Sequence, residues 1–200
     1  MDPGAGLDVT RLLEASGALK HGHFQLSSGL HSSAYVQCAL LLELPARARQ
    51  VGEALAARLR DLAPESILSP ALGGVIIGHE VAAALGVSFR FTERKGEGMD
   101  LRRGFALRPG ERVAIVEDVV TTGRSTNEVA ALAAAQGAEV VGVGAIIDRS
   151  GGRHPFALPF RALLELDLPS HEAAECPLCA AGGAPEKPGS RPGGTAAARR

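Results

Sequence analysis

Apolar positions along this chain gather into short continuous runs, and these runs alternate with segments of helical spacing. Residues 67–68, 113–116 and 140–147 read as strands buried on both faces, because apolar residues follow one another without a polar alternate, and residues 87–91 read as a further strand. Residues 75–85 and 124–136 read as helices between them, and residues 45–61 as an Ala/Arg/Leu-rich helix opening on Pro45, where the missing N–H costs nothing. Strands alternating with helices predict βαβ units, and so an α/β fold whose central, mostly parallel sheet is flanked by helices. Ahead of this pattern, Leu7, Val9, Leu12, Leu13 and Ala15 predict a helix that stops near Gly17. Residues 24–44 mix Ser/Gly turns with short apolar pieces such as Ala34-Tyr35-Val36, which predicts a loop and one or two short strands rather than a helix. Residues 177–200 are rich in Pro, Gly, Ala and Arg. The expected organisation is one domain over residues 1–175 and a partly disordered tail over 176–200.

Composition narrows the function classes. A hydrophobic content of 46% supports a core, and a formal net charge of −1 argues against non-specific nucleic-acid binding through net charge. No apolar run is long enough to span a bilayer, and Met1 to Val9 lacks the basic and apolar regions of a secretion signal. Three cysteines make no disulfide framework and agree with a reducing compartment, so a cytoplasmic protein is expected.

The chemistry concentrates where the strand over residues 113–116 ends. Glu117 and Asp118 follow it directly, then Val119 and Val120, then Thr121-Thr122-Gly123-Arg124-Ser125-Thr126, which opens the next helix. In an open parallel sheet, ligands collect beyond the carboxyl ends of the strands. A helix N-terminus with hydroxyls and unpaired amides suits a dianionic phosphate. Carboxylates repel phosphate, so the acidic pair calls for donors instead, and the vicinal hydroxyls of a ribose supply two. The loop reads as a cradle for a ribose 5-phosphate. Neither G-x-x-x-x-G-K-[ST] nor G-x-G-x-x-G follows this strand.

Three other segments add to the site. Ser69-Pro70-Ala71-Leu72-Gly73-Gly74 repeats the order strand, glycine turn, helix, and adjacent glycines permit close backbone approach. The connection over residues 92–104 is charged and punctuated by glycine, which suits either a mobile lid or a solvated hairpin tip; its cations are Arg94, Lys95, Arg102 and Arg103. Ala145-Ile146-Ile147-Asp148-Arg149 ends an apolar strand on an arginine, whose fork matches a planar carboxylate.

The segment over residues 113–126 resembles the phosphoribosyl-pyrophosphate (PRPP) signature of the type I phosphoribosyltransferases. Phe24-Gln25-Leu26-Ser27-Ser28-Gly29-Leu30-His31-Ser32-Ser33-Ala34-Tyr35 is similar to a segment near the start of the orotate phosphoribosyltransferases, and the resemblance runs over residues 7–167. It implies the type I fold with a small N-terminal hood over residues 1–44 and a core over 45–168. It also implies transfer of the 5-phosphoribosyl group from PRPP to orotate, with Mg²⁺ held through PRPP and water rather than by direct protein ligands. Carried over residue by residue, the catalytic group is Arg94, Lys95, Glu117 and Asp118. PRPP binding falls to Ala71, Gly73, Gly74, Arg94, Lys95 and the run Glu117, Asp118, Val119, Val120, Thr121, Thr122, Gly123, Arg124, Ser125 and Thr126. Orotate binding falls to Ser27, Ser28, Gly29, Tyr35, Thr121 and Arg149.

The resemblance further implies a homodimer in which the lid, residues 93–104, reaches the neighbouring active site. The chain departs from the pattern at Ser27 and Gly73, where many orotate enzymes carry lysine, and in a shorter lid without a Lys-x-His pair. The alternatives are a purine or xanthine phosphoribosyltransferase and a PRPP-binding regulator without turnover. Separately, His171, Cys176 and Cys179 have the spacing of a zinc site without an evident fourth ligand, Cys38 being distant in sequence; a plain structural tail is the simpler reading.

Overall fold

The computed structural model describes residues 6–26, 29–96, 98–154 and 156–188. In chain order its elements are α1 (Val9–Ala15), β1 (Leu19–Gln25), β2 (His31–Val36), α2 (Cys38–Leu42), α3 (Pro45–Leu59), β3 (Ser66–Pro70), α4 (Gly73–Leu85), β4 (Ser88–Lys95), β5 (Gly98–Leu101), β6 (Arg112–Val120), α5 (Arg124–Ala135), β7 (Glu139–Asp148), β8 (Phe160–Glu165), β9 (Ser170–His171) and α6 (Pro177–Ala180). The larger sheet has the order β5-β4-β3-β6-β7-β8; only β5 runs antiparallel to its neighbour. A second, smaller sheet, β1-β2-β9, is antiparallel throughout.

The unbroken apolar runs of β3 and β6 follow from burial on both faces. Ile67, Ala114 and Val116 face one cluster with Leu55 and Leu59 of α3 and Ile77 and Val81 of α4. Their neighbours Leu68, Val113 and Ile115 face a second cluster with Val129 and Ala133 of α5. Helices α3 and α4 approach closely because Gly52 has no side chain: a Cβ there would stand 2.5 Å from that of Glu80.

Three differences from the sequence expectation bear on the site. Helix α2 lies in the stretch expected to be non-helical; its buried residues are Cys38, Leu41 and Leu42, but five residues are too few to show a period. Strand β6 continues through the acidic pair to Val120, since Glu117, Val119 and Val120 stay in register with Ala145, Ile147 and Asp148 of β7. The tail over residues 176–188 packs against the hairpin β1–β2: Cys176 is buried, the Gln25 N–H donates to the Glu186 carbonyl at 2.8 Å, and the Glu186 N–H donates to the His23 carbonyl at 2.7 Å. Residues 189–200, to which the expectation of disorder also applied, lie outside the described residues.

Candidate active site

Strands β3 and β6 are neighbours, yet the chain leaves them in opposite directions. From β3 it passes through α4 to β4, and from β6 through α5 to β7 on the other side. The helices that follow cover opposite faces, so a crevice opens between the carboxyl ends of the two strands, the position at which open α/β sheets bind ligands.

The acidic pair and the Gly-Gly turn meet in this crevice. A Cβ built on Gly73 would stand 2.6 Å from Asp118 Oδ1, and one on Gly74 would stand 2.9 Å from Glu117 Oε2 and 2.8 Å from the Val116 carbonyl oxygen. The Val119 N–H donates to Asp118 Oδ1 at 2.8 Å, while Glu117 Oε2 is buried without a hydrogen-bond partner. Burial raises both carboxyls above their ordinary range, Glu117 the more strongly because the Asp118 charge adds to the effect.

Beyond the pair, the chain turns at Gly123, whose φ of 69° is the left-handed conformation glycine adopts without strain, and enters α5. Glu117, Val119, Val120, Thr121, Thr122, Gly123, Arg124, Ser125 and Thr126 line an open cavity of about 60 Å³. The cavity combines hydroxyls with the N-terminal end of a helix, as an anion cradle requires.

The next strand supplies a cation. Arg149 follows β7, its N–H donates to the Val120 carbonyl at 2.8 Å, and its side-chain Nε is buried without a hydrogen-bond partner. Burial lowers the proton affinity of this guanidinium, partly offset by Tyr35. Tyr35 is itself shifted upward, first by burial and then by Asp118 and Cys38. The resemblance-derived Tyr35, Asp118 and Arg149 therefore lie within electrostatic reach of one another. Ser27 and Ser28 lie outside the described residues; Gly29 has φ 90° and its N–H donates to the Leu26 carbonyl at 2.9 Å.

The segment over residues 93–104 contains the end of β4, the strand β5 and the turn after it. Two of its cations meet carboxylates within the segment: Lys95 reaches Asp100 at 3.0 Å and Arg103 forks onto Glu93 with two contacts of 3.0 Å. Arg94 reaches Glu128 of α5 at 2.7 Å, and Arg124 meets the same carboxylate at 2.9 Å. Arg94 is thus tied to the helix that opens at the cradle. Along the sequence these cations have no evident partners, because the carboxylates lie across a strand register or on another element.

The expected trio His171, Cys176 and Cys179 does not form the cysteine cluster. Cys176 and Cys179 instead gather with His23 and His31, all four ligand atoms lying within 4.8 Å of one another. His171 sits in β9 opposite His31 and is outside that group, and Cys38 is buried in α2. Only the folding of the tail onto the hairpin reveals the two histidines, which precede the cysteines by more than 140 positions.

Comparison with known proteins agrees with this geometry. Residues 39–165 match the family model described as the phosphoribosyl transferase domain. An orotate phosphoribosyltransferase of Thermotoga petrophila is 54% identical over 183 residues, covering 92% of this chain and 98% of the relative. One from Acidithiobacillus ferrooxidans is 50% identical over 188 residues, covering 92% and 96%. The crystal structure of orotate phosphoribosyltransferase from Aeropyrum pernix shares the fold, with a TM-score of 0.67 at 22% identity, covering 79% of this chain and 93% of that one.

Proposed function

This chain belongs to the orotate phosphoribosyltransferase family, a family of pentosyltransferases, and we propose from that premise that it transfers the 5-phosphoribosyl group of PRPP to N1 of orotate, releasing pyrophosphate and orotidine 5-monophosphate. The observation that carries the reading is the convergence of four features at the ends of the adjacent strands β3, β6 and β7: the pair Glu117/Asp118, the cradle after it, the Gly73-Gly74 turn and Arg149. Such a product feeds pyrimidine nucleotide synthesis.

Breaking the anomeric bond places positive charge on the ribose ring and negative charge on the leaving pyrophosphate. Glu117 and Asp118 accept hydrogen bonds from the ribose hydroxyls. The unpartnered Oε2 of Glu117 gains a donor in this way, and the two negative charges favour the cationic ring. Amides and hydroxyls of Thr121, Thr122, Ser125 and Thr126 hold the 5-phosphate, with Val119, Val120, Gly123 and Arg124 shaping the cradle. Ala71, Gly73 and Gly74 present backbone to the pyrophosphate, and Arg94 and Lys95, on exchanging their carboxylate partners, serve the pyrophosphate of the neighbouring active site.

Arg149 pairs with the orotate carboxylate through a guanidinium edge that is already desolvated, with Tyr35 beside it; Ser27, Ser28, Gly29 and Thr121 complete the base pocket. Orotate brings an acidic nitrogen, so positioning and field suffice and no covalent nucleophile is required. The Glu117 carboxylate is a hard oxygen group that would suit the outer, water-mediated coordination of Mg²⁺; held by PRPP oxygens and water, the ion would supply neutralisation of the pyrophosphate charge.

The same reading takes residues 1–175 as one domain with a hood over 1–44 and a core over 45–168. It takes the enzyme as a cytoplasmic homodimer whose lids, residues 93–104, reach the partner's active site. Among the described residues no helix is long and apolar enough to cross a membrane. Incubation with PRPP, Mg²⁺ and orotate, following the loss of orotate absorbance, tests the function. Turnover of a purine base with orotate inert would overturn the choice of base, and PRPP binding without turnover of any base would overturn the enzymatic reading.

A further inference from the structure

His23, His31, Cys176 and Cys179 stand apart from the reaction, and nothing in the proposed mechanism uses them. His23 Nε2 lies 3.0 Å from His31 Nδ1, 3.5 Å from Cys176 Sγ and 3.7 Å from Cys179 Sγ, and Cys179 Sγ lies 3.2 Å from His31 Nδ1. Tetrahedral zinc with bonds of about 2.3 Å to sulfur and about 2.0 Å to nitrogen requires ligand separations of roughly 3.3–3.8 Å. Two of these separations, 3.5 and 3.7 Å, fall inside that range and two, 3.0 and 3.2 Å, lie just below it, and all four atoms lie within 4.8 Å of one another, so an ion fits among them with shifts of about half an ångström.

The backbone holds the ligands in place. The β1–β2 register shifts between His21 and Phe24, the stretch that contains His23, and His31 opens β2 opposite Gln25. Pro177 begins α6 directly after Cys176, and the turn brings Cys179 round to the same point. His31 and Cys176 are buried, at 4% and 2% exposure, so solvent does not compete for these ligand atoms. Two thiolates and two imidazoles form a soft to borderline set that selects zinc over magnesium or calcium, and four protein ligands leave no open position.

We propose that this chain carries a structural Cys2His2 zinc site that clamps the tail to the hairpin β1–β2. Hydrogen bonds already lay the tail along the hairpin, at Gln25 to Glu186 and Glu186 to His23. The ion fastens that arrangement and thereby fixes both ends of the β1–β2 connection, since His23 precedes it and His31 follows it. The site does not depend on the identity of the base, and its failure would leave the phosphoribosyl-transfer reading intact.

Metal content of the full-length protein, purified untagged under reducing conditions without chelator, tests the site. About one zinc per chain is expected, as for a closed structural site. Cobalt refolded into the protein should give the intense visible bands of tetrahedral thiolate coordination. Cys176→Ser and His23→Gln should each lose the zinc, whereas Cys38→Ser should keep it. Stripping zinc with a mercurial should lower the melting temperature, and returned zinc should restore it. Should the serine variant fail to fold, the cobalt spectrum of the unmutated chain still decides. A chain that stays metal-free with its thiols reduced and zinc supplied, a Cys176–Cys179 disulfide in its place, or zinc retained by folded Cys176→Ser would each overturn the proposal.

Discussion

Gly73 and Asp118 are packed so closely that a methyl group on the glycine would stand 2.6 Å from one carboxylate oxygen and 2.7 Å from the other. The Gly-Gly turn therefore makes room for the acidic pair as well as exposing backbone to a ligand. A lysine at this position, as in many orotate enzymes, would require Asp118 to move. At Gly74 the obstacle is partly main chain, since the Val116 carbonyl oxygen would lie 2.8 Å from the added carbon. Gly73→Ala should raise the KM for PRPP while the fold is kept, because a carboxylate can rotate. Gly74→Ala should cost stability as well, by about 1–3 kcal/mol, because a strand backbone cannot. Urea melts alongside PRPP titrations would separate the two, and equal stabilities would refute the distinction.

The acidic pair is expected to trade stability for activity. Burial raises the proton affinity of Glu117 and Asp118 in the folded state, so each charged carboxyl opposes folding at neutral pH, and the opposition fades as pH falls and protons bind. Glu117→Gln should thus raise the melting temperature by a few degrees at pH 7 while lowering kcat by about 100-fold through the lost charge. A parallel drop in both quantities would argue that the charge is not strained in the fold.

Arg149→Ala should raise the KM for orotate by about 10- to 100-fold, as expected for a lost charge-assisted pair, and leave PRPP affinity nearly unchanged. Arg149→Lys should recover only part, since a point charge lacks the fork. Steady-state kinetics in each substrate would show it, and an equal change in both KM values would contradict the assignment.

Away from the site, Glu111 anchors the edge of the core. Burial opposes its charge, but the Arg108 amide, the Ser66 hydroxyl and the Arg90 guanidinium outweigh that and bring its pKa from 4.5 to about 2. A carboxyl depressed on folding adds stability above its unfolded value, and the gain is lost as pH falls from 4.5 toward 2. Glu111→Gln should cost on the order of 2–3 kcal/mol at pH 7 and flatten the acid limb between those values. Denaturant melts at a series of acidic pH values would measure the difference, and parallel curves would exclude the role.

What the amino-acid order determined by itself was everything whose signal lies within one segment. The apolar runs gave the strands their burial and the helical spacing gave α3, α4 and α5, because a strand buried on two faces and a helix packed on one leave different periods. The stretch that lines the cavity was legible for the same reason: Glu117 to Thr126 is one continuous run of acidic, hydroxyl-bearing and glycine residues at the end of a strand.

Tertiary structure decided the relations between segments distant along the chain. Only the adjacency of β3 and β6 sets Gly73 against Asp118, only the β4–β5 hairpin and α5 together give Arg94 its partner Glu128, and only the return of the tail replaces His171 with His23 and His31 beside the cysteines. These pairings depend on where the chain crosses itself, and a local hydrophobic period carries no record of that.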